Sequence, residues 1–176
     1  MRRPRDRATP LYLVGYMASG KSAVGESLAA RLGFAFADTD AMVERDQGRS
    51  IETIFRESGE GAFRQAEWDI LRSLAGRRDV VVATGGGLFL GVAHRALIRD
   101  EGLSCWLDAP MHVVAARADR GVARPLWPGG DPLEQRAFFE RRRAVYALAD
   151  LRVDASAGSP DDVASAIATL REALFH

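Results

Sequence analysis

The chain of 176 residues is long enough for one domain with an ordinary hydrophobic core. Lys and Arg number 24 and Asp and Glu number 24, so the formal charge is zero. This balance argues against a general nucleic-acid or membrane binder but permits a local basic site. The only cysteine, Cys105, excludes an internal disulfide and favours a reducing compartment, so we expect a cytoplasmic protein.

The N-terminal segment, residues 1–9, is basic, and no apolar stretch long enough for a secretion signal follows it. We expect it to form a flexible tail and the domain to span residues 10–176. No apolar run reaches the ~18 residues of a membrane span.

Short apolar runs then alternate with helical patterns, which is typical of a parallel sheet covered by helices on both faces. We therefore predict a three-layer α/β/α fold. The predicted strands are 11–14, 34–37, 80–83, 103–107 and 151–153. The predicted helices are 22–32, 39–47, a short one that begins at Ser50, 61–74, 92–99, 110–120, 132–148 and 160 to the end, and residues 121–131, rich in Gly and Pro, form a loop.

The segment from Gly15 to Ser22 follows the first strand and leads into the first helix. Its pattern, Gly-x-x-x-x-Gly-Lys-Ser, is that of a phosphate-binding loop, in which backbone N–H groups surround phosphates and the Ser hydroxyl binds Mg²⁺. Lys21 is the only lysine of the chain, and a compact ammonium fits inside such a ring of amides where a guanidinium does not. The alternative is a plain Gly-rich turn with an exposed lysine.

Two further strands end in polar or glycine-rich sequences. Asp38 and Asp40 follow the second strand, and Gly85 to Gly87 follow the third. Ligands bind at the carboxyl ends of parallel strands, so these segments and the phosphate-binding loop are expected to converge. Helix capping explains one of the two carboxylates, and a flexible turn is the alternative for the glycines.

Taken together, these motifs and several further residues occur in an order that resembles the shikimate kinase family. The further residues are Arg64 with Glu67, Arg117, the Arg124-Pro125-Leu126 segment, and Arg142 four residues before Tyr146. Taken alone, Arg64 is an ordinary helix-surface partner of Glu67, and Arg124 is a loop residue. The resemblance implies a P-loop kinase fold with a central five-stranded parallel sheet and a mobile lid at about 121–131. It also implies shikimate and ATP as substrates, with Mg²⁺ as cofactor.

The resemblance also implies a role for each matching residue. Asp40 would hold and deprotonate the acceptor hydroxyl, Lys21 and Arg124 would stabilise the transferring phosphoryl group, and Ser22 and Asp38 would hold the metal. The nucleotide would contact Gly15, Ala18, Ser19, Gly20, Lys21, Ser22, Ala23, Arg117, Arg124 and Pro160. The substrate would contact Asp40, Arg64, Gly86, Gly87 and Arg142.

The chain departs from the usual family pattern at three positions. Ala18 stands where many members have glycine, so the turn there needs a φ that a Cβ tolerates. Ala23 replaces a frequent threonine, and Trp127 a common leucine. None of these changes removes a proposed catalytic group.

Other functions make different demands on the sequence. A guanine-reading GTPase needs a second lysine, which this chain lacks. A kinase of another small metabolite such as gluconate, or of a nucleoside monophosphate, needs the phosphate-binding loop but not Asp40, Arg64 and Arg142 in this arrangement. An inactive binding domain would be expected to lack at least one of Lys21, Ser22, Asp40 and Arg124, and all four are present. A separate alternative concerns the metal: Asp108, at the end of the fourth strand, could hold it in place of Asp38. We expect a monomer that binds neither nucleic acid nor membranes.

Overall fold

The apolar runs form one parallel sheet, as the sequence predicts, in a computed structural model that describes residues 5–118 and 131–175. The strands are β1 (Leu11–Val14), β2 (Ala35–Asp38), β3 (Val80–Ala83), β4 (Leu103–Asp108) and β5 (Leu151–Asp154). They lie in the order β2-β3-β1-β4-β5, with β1 paired to β3 on one side and to β4 on the other. The phosphate-binding segment therefore leaves the middle strand of the sheet.

Helices connect the strands and cover both faces. Within the described residues they are α1 (Lys21–Leu32), α2 (Thr39–Gln47), α3 (Ile51–Ser73), α4 (Val92–Glu101), α5 (Met111–Ala118), α6 (Pro132–Tyr146) and α7 (Pro160–Glu172), with a 3-10 turn at Leu88–Leu90. The two helices predicted around 50–74 are the two parts of α3, which is interrupted at Gly59 by a non-helical φ of 78°. No helix in the described ranges is both long and apolar enough to cross a bilayer.

Successive side chains of β1 point to opposite faces of the sheet and enter different core clusters. Tyr12 and Val14 pack in the cluster that includes residues of α3, α4 and α6. Leu11 and Leu13 pack with residues of α1 and α7. The second cluster includes Cys105, which is fully buried, and burial raises its pKa to about 12. The thiol is therefore unreactive, as its apolar neighbours in the sequence indicate.

Residues 5–9, which the sequence places in a flexible tail, are docked on the domain. The Arg5 guanidinium donates to the Gly102 carbonyl at 3.0 Å and to Asp150 Oδ1 at 2.7 Å. The carbonyl of Ala8 accepts a hydrogen bond from Asp79 N at 2.9 Å. These partners lie far along the chain, so the local sequence contains no pattern that indicates them.

The turn between β1 and α1 has a positive φ at three positions, Gly15, Ala18 and Gly20. Gly20 has a φ of 96°, which glycine adopts easily. Ala18 has a φ of 58°, a left-handed value that is unfavourable for alanine because its Cβ approaches the backbone carbonyl. The Cβ of Ala18 is thus tolerated at a cost in backbone energy.

We expect Ala18→Gly to raise the free energy of unfolding by about 1 kcal/mol, because glycine adopts this φ without the steric cost that alanine has. Chemical denaturation measures the change. Ala23→Gly is the matched control, since Ala23 is exposed in the first turns of α1 and should lose about 1 kcal/mol instead. Destabilisation by both substitutions would contradict strain at Ala18.

Candidate active site

A cavity of about 450 Å³ opens at the carboxyl edge of the sheet, where the sequence predicts convergence. It is lined by Met17, Ala18, Gly20, Lys21, Ser22, Ala23, Asp38, Asp40, Ala41, Glu44, Thr84, Gly86 and Arg117. A second cavity of about 250 Å³ is lined by Ser19, Gly20, Val24, Arg117, Ala155, Gly158, Ser159, Pro160 and Val163. Two residues, Gly20 and Arg117, line both cavities, so the two spaces adjoin.

The phosphate-binding loop surrounds a buried lysine. Lys21 Nζ donates hydrogen bonds to the carbonyl oxygens of Tyr16 at 2.7 Å and Gly15 at 3.1 Å. The N-cap of α1 is Gly20, and no side chain caps this helix end. The first N–H groups of α1 and the ammonium therefore make this end of the larger cavity attractive to an anion.

Asp38 joins the phosphate-binding loop to the end of β2. Its Oδ2 accepts a hydrogen bond from Ser22 Oγ at 2.6 Å. Its Oδ1 caps α2 by accepting from the backbone N–H groups of Asp40 and Ala41. Helix capping is thus correct for Asp38, but it does not account for the side chain of Asp40.

The glycines at 85–87 are closely surrounded by other groups of the site. A Cβ on the first glycine would lie 2.4 Å from Asp40 Oδ1 and 2.8 Å from Glu67 Oε1. A Cβ on Gly86 would lie 3.1 Å from Met17 N, and a Cβ on Gly87 would lie 2.5 Å from Arg64 Nη1. None of the three has a positive φ. These glycines are needed for space rather than for flexibility, so a plain flexible turn does not explain them.

Arg64 lies over this loop and pairs with two carboxylates of its own helix. Its Nη1 donates to Glu67 Oε2 at 2.6 Å and its Nη2 to Glu60 Oε1 at 3.0 Å. Burial alone would lower the pKa of Arg64, but the two carboxylates raise it. The pair between Arg64 and Glu67 is present, as the sequence suggests. However, Glu67 is buried, and the Arg64 guanidinium lies against Gly87 rather than only in solvent.

Glu67 is a buried acid beside Asp40. Its side chain is 1% exposed, and burial raises its pKa from an ordinary 4.5 to about 7. Arg64 opposes this shift, while the charges of Asp40 and Glu60 add to it. Within the described part of the chain, Glu67 Oε1 accepts no hydrogen bond, which also favours the neutral acid.

Arg142 of α6 is a buried cation among aromatic rings. Its guanidinium carbon lies 4.3 Å from the Phe138 ring centroid and 5.5 Å from that of Tyr16. Its Nη1 is buried and has no hydrogen-bond partner among the residues that the structure describes. A buried guanidinium with an unused donor is suited to bind an anionic ligand.

Arg117 and Pro160 lie at the second cavity. The Arg117 guanidinium donates to the carbonyl of Ala155 at 3.2 Å, and it approaches the carbonyl of Ser19 at 3.5 Å. Pro160 begins α7 and lines the same space. Their position next to the phosphate-binding loop makes this cavity a candidate site for the nucleotide base.

Asp108, the rival metal carboxylate, is held elsewhere. Its Oδ2 accepts from Arg152 at 2.6 Å and from Arg143 at 2.9 Å. It lines neither of the two cavities. Asp38, which touches Ser22, is the better candidate.

Arg124 and all but the last residue of the predicted lid, 121–131, lie outside the described residues, and so does Trp127. Asp131 is the N-cap of α6 and accepts a hydrogen bond from Leu133 N.

Sequence analysis assigned no role to three residues at the site, although it named Tyr146 as part of the motif with Arg142. Thr39 Oγ1 accepts a hydrogen bond from Gly85 N at 2.8 Å, and Met17 lies against Gly86. The buried hydroxyl of Tyr146 donates to the Gly86 carbonyl. Only the spacing of Tyr146 from Arg142, one helical turn, could have suggested a shared location.

The raised pKa of Glu67 predicts a pH-dependent stability. A proton leaves this acid near pH 4.5 in the unfolded chain and near pH 7 in the folded one, so its contribution to stability falls as the pH rises between these values. Glu67→Gln mimics the neutral acid. We expect the free energy of unfolding of this variant to exceed that of the parent by about 1–3 kcal/mol at pH 8, and the gap to close towards pH 4.5.

Urea denaturation at a series of pH values measures this gap. Glu60→Gln is the matched control, because it removes the other carboxylate from Arg64 but from an exposed position. A gap of the same size at pH 5 and pH 8 would contradict the raised pKa.

Comparison with known proteins identifies the family of this site. The sequence profile described as "Shikimate kinase" matches residues 17–171. A shikimate kinase of Persephonella marina is 39% identical over 157 residues, covering 89% of this chain and 95% of that protein. A shikimate kinase of Nitratidesulfovibrio vulgaris is 49% identical over 143 residues, covering 79% and 82%.

Solved structures agree with the sequence relatives. The shikimate kinase of Acinetobacter baumannii in complex with shikimate has a TM-score of 0.89 and 32% identity, covering 95% of this chain and 94% of that one. A gluconokinase of Sinorhizobium meliloti has a TM-score of 0.53 and 19% identity, a likeness of fold alone. The chain belongs to the shikimate kinase family of ATP-dependent kinases.

Proposed function

We propose that this protein transfers the γ-phosphoryl group of MgATP to the 3-hydroxyl of shikimate and releases shikimate 3-phosphate and ADP. The observation that carries the proposal is the larger cavity, which brings Lys21, Ser22 and Asp40 together beside Gly86. Phosphoryl transfer needs the donor and acceptor held in line and the charge of the phosphoryl oxygens stabilised, and these groups are of the right kind for both.

ATP would bind with its phosphates on the phosphate-binding loop and its base in the second cavity. The loop residues Gly15, Ala18, Ser19, Gly20, Lys21, Ser22 and Ala23 would surround the phosphates. On arrival of the nucleotide, Lys21 Nζ would exchange its bonds to the Gly15 and Tyr16 carbonyls for phosphate oxygens. Arg117 and Pro160, which line the second cavity, would pack against the adenine.

Ser22 and Asp38 would hold Mg²⁺ at the phosphates. Their side-chain oxygens lie 2.6 Å apart and are the hard donors that this ion prefers. In the ranges 5–118 and 131–175, no group of three or more His, Cys, Asp or Glu is placed to hold a metal. The ion would therefore take its other ligands from phosphate and water, and it would supply charge neutralisation at the β and γ phosphates.

Asp40 would orient the acceptor hydroxyl and accept its proton as the phosphoryl group is transferred. Its carboxylate lines the same cavity as Lys21, and its Oδ1 lies against Gly85. Asp38 caps α2, so the Asp40 carboxylate is not needed as the helix cap.

Arg64 and Arg142 would bind the carboxylate of shikimate, with backbone contacts from Gly86 and Gly87. The planar fork of a guanidinium matches a carboxylate. The unused donor of Arg142 supports this role. The raised pKa of Glu67 also supports it, because a neutral Glu67 leaves more of the Arg64 charge for a ligand.

Arg124 would contact the transferring phosphoryl group, and the lid segment at 121–131 would exclude water that otherwise competes with the acceptor. An arginine in this role can be worth ~10³ or more in rate. We further propose that the protein acts in the cytoplasm, as a monomer, with residues 10–176 as its kinase domain.

A coupled assay of ADP release tests the function. We expect turnover with shikimate and little with gluconate or nucleoside monophosphates, because only a cyclic carboxylate with a neighbouring hydroxyl engages the arginines and Asp40 together. Turnover with gluconate alone would favour the alternative kinase, and turnover with none of them would reject the proposal.

Asp40→Asn identifies the site of the activity in the same assay. The substitution conserves shape but removes the base, so we expect kcat to fall by roughly 100-fold or more while the KM for ATP changes little. A variant of near-parental rate would remove Asp40 from the mechanism.

Lys21→Arg tests the choice of cation. We expect a loss of roughly 100-fold or more in kcat despite the conserved charge, because the broader guanidinium does not fit among the loop carbonyls. Arg31→Lys is the matched control, since Arg31 lies on the same helix as Lys21 and the reverse exchange affects only an exposed ion pair with Asp161 of α7. Retained activity in Lys21→Arg would leave the lone lysine without a functional reason.

A further inference from the structure

Tyr146 is a buried tyrosine at the end of α6, and its ring is 1% exposed. Its hydroxyl donates a hydrogen bond to the carbonyl of Gly86, a residue 60 positions earlier in the chain. The bond joins the last turn of α6 directly to the loop after β3.

The peptide that Tyr146 bonds lies between groups of the site. The Arg64 guanidinium lies against Gly87, where a Cβ would be 2.5 Å from its Nη1. Burial raises the pKa of Tyr146, and the positive charges of Arg142 and Arg64 both oppose that shift. Arg142 precedes Tyr146 by one helical turn, which places the two side chains on the same side of α6.

The bond to Gly86 acts on the middle of a segment whose two ends have other hydrogen bonds. Gly85 N donates to Thr39 Oγ1, and the carbonyls of Gly85 and Gly87 accept from the backbone N–H groups of Leu88 and Leu90. Residues 85–87 have no side chains, so their backbone has more accessible conformations than that of any other residue type. A peptide unit is planar, so fixing the Gly86 carbonyl also fixes the direction of the Gly87 N–H. The Tyr146 hydroxyl therefore sets the orientation of one peptide plane at the cavity.

We propose that Tyr146 is a positioning residue for the acceptor substrate: its hydroxyl fixes the Gly86–Gly87 peptide and keeps it in register with the guanidinium of Arg142. The inference rests on the proposed function, because the ligand positioned is shikimate. It predicts that loss of the hydroxyl weakens acceptor binding while the nucleotide site, built on β1 and α1, is unaffected.

Tyr146 also has a packing role, since its ring lies 6.4 Å from that of Trp106 in the larger core cluster. Tyr146→Phe keeps the ring and removes only the hydroxyl. Tyr12→Phe is the matched control, because Tyr12 is a buried tyrosine of the same cluster that lies against Gly102, away from the cavity.

Steady-state kinetics of the full chain with each substrate varied in turn test the proposal. We expect Tyr146→Phe to raise the KM for shikimate roughly tenfold, because the peptide must then be ordered on binding at a cost comparable to one hydrogen bond, with the KM for ATP within about twofold of the parent. Tyr12→Phe should change neither KM. An unchanged KM for shikimate in Tyr146→Phe would overturn the inference, as would equal rises of both KM values, which indicate a merely structural role.

Hydrogen exchange measured by mass spectrometry gives a second readout that needs no activity. Peptides that cover 84–90 should exchange faster in folded Tyr146→Phe than in the parent, and Tyr12→Phe should not change them. Equal exchange in all three proteins would also overturn the inference. Failure of the parent protein to phosphorylate shikimate would instead reject the proposed function, so the two failures are distinguishable.

Discussion

The ammonium of Lys21 is held between the carbonyl oxygens of Gly15 and Tyr16, at the uncapped start of α1. A buried charge needs compensating dipoles or an anion, so the carbonyl groups of the loop must turn inward around it. The loop that carries these carbonyls has positive φ at Gly15, Ala18 and Gly20, and it keeps this shape although Ala18 is not glycine. The start of α1 and the end of β1 are fixed by the same turn. The position of this charge thus sets where an anionic ligand can bind relative to the sheet.

The rest of the site depends on how closely other segments approach this loop. Backbone atoms of the second glycine in 85–87 lie against Met17, while its neighbours leave room for Asp40 and for Arg64. Larger residues at these places would separate the anion-binding end of the cavity from the acid and the arginines. Close packing of this glycine backbone therefore allows the phosphate-binding loop, the Asp40 carboxylate and the Arg64 guanidinium to approach the same short segment. The raised pKa of Glu67 is a consequence of the same crowding.

The sequence was sufficient for the succession of strands and helices along the chain, because most buried strands are largely apolar and most helices begin at a capping residue or proline. It was also sufficient for the phosphate-binding segment, whose spacing is specific. It could not show that Tyr146 reaches Gly86 or that Arg5 reaches Gly102, since these partners are 60 and 97 positions apart and neither contact follows a local pattern. The state of Glu67 depends on burial from several elements at once, which no single segment records.

The lone thiol of Cys105 is fully buried in the core, and burial raises its pKa to about 12. Maleimides and similar reagents react with accessible thiolates, so the native protein should remain unlabelled while folded. A single cysteine introduced at the surface would then be the only site of modification. The protein is thereby suited to fluorescence or spin-label distance measurements without prior removal of its natural cysteine.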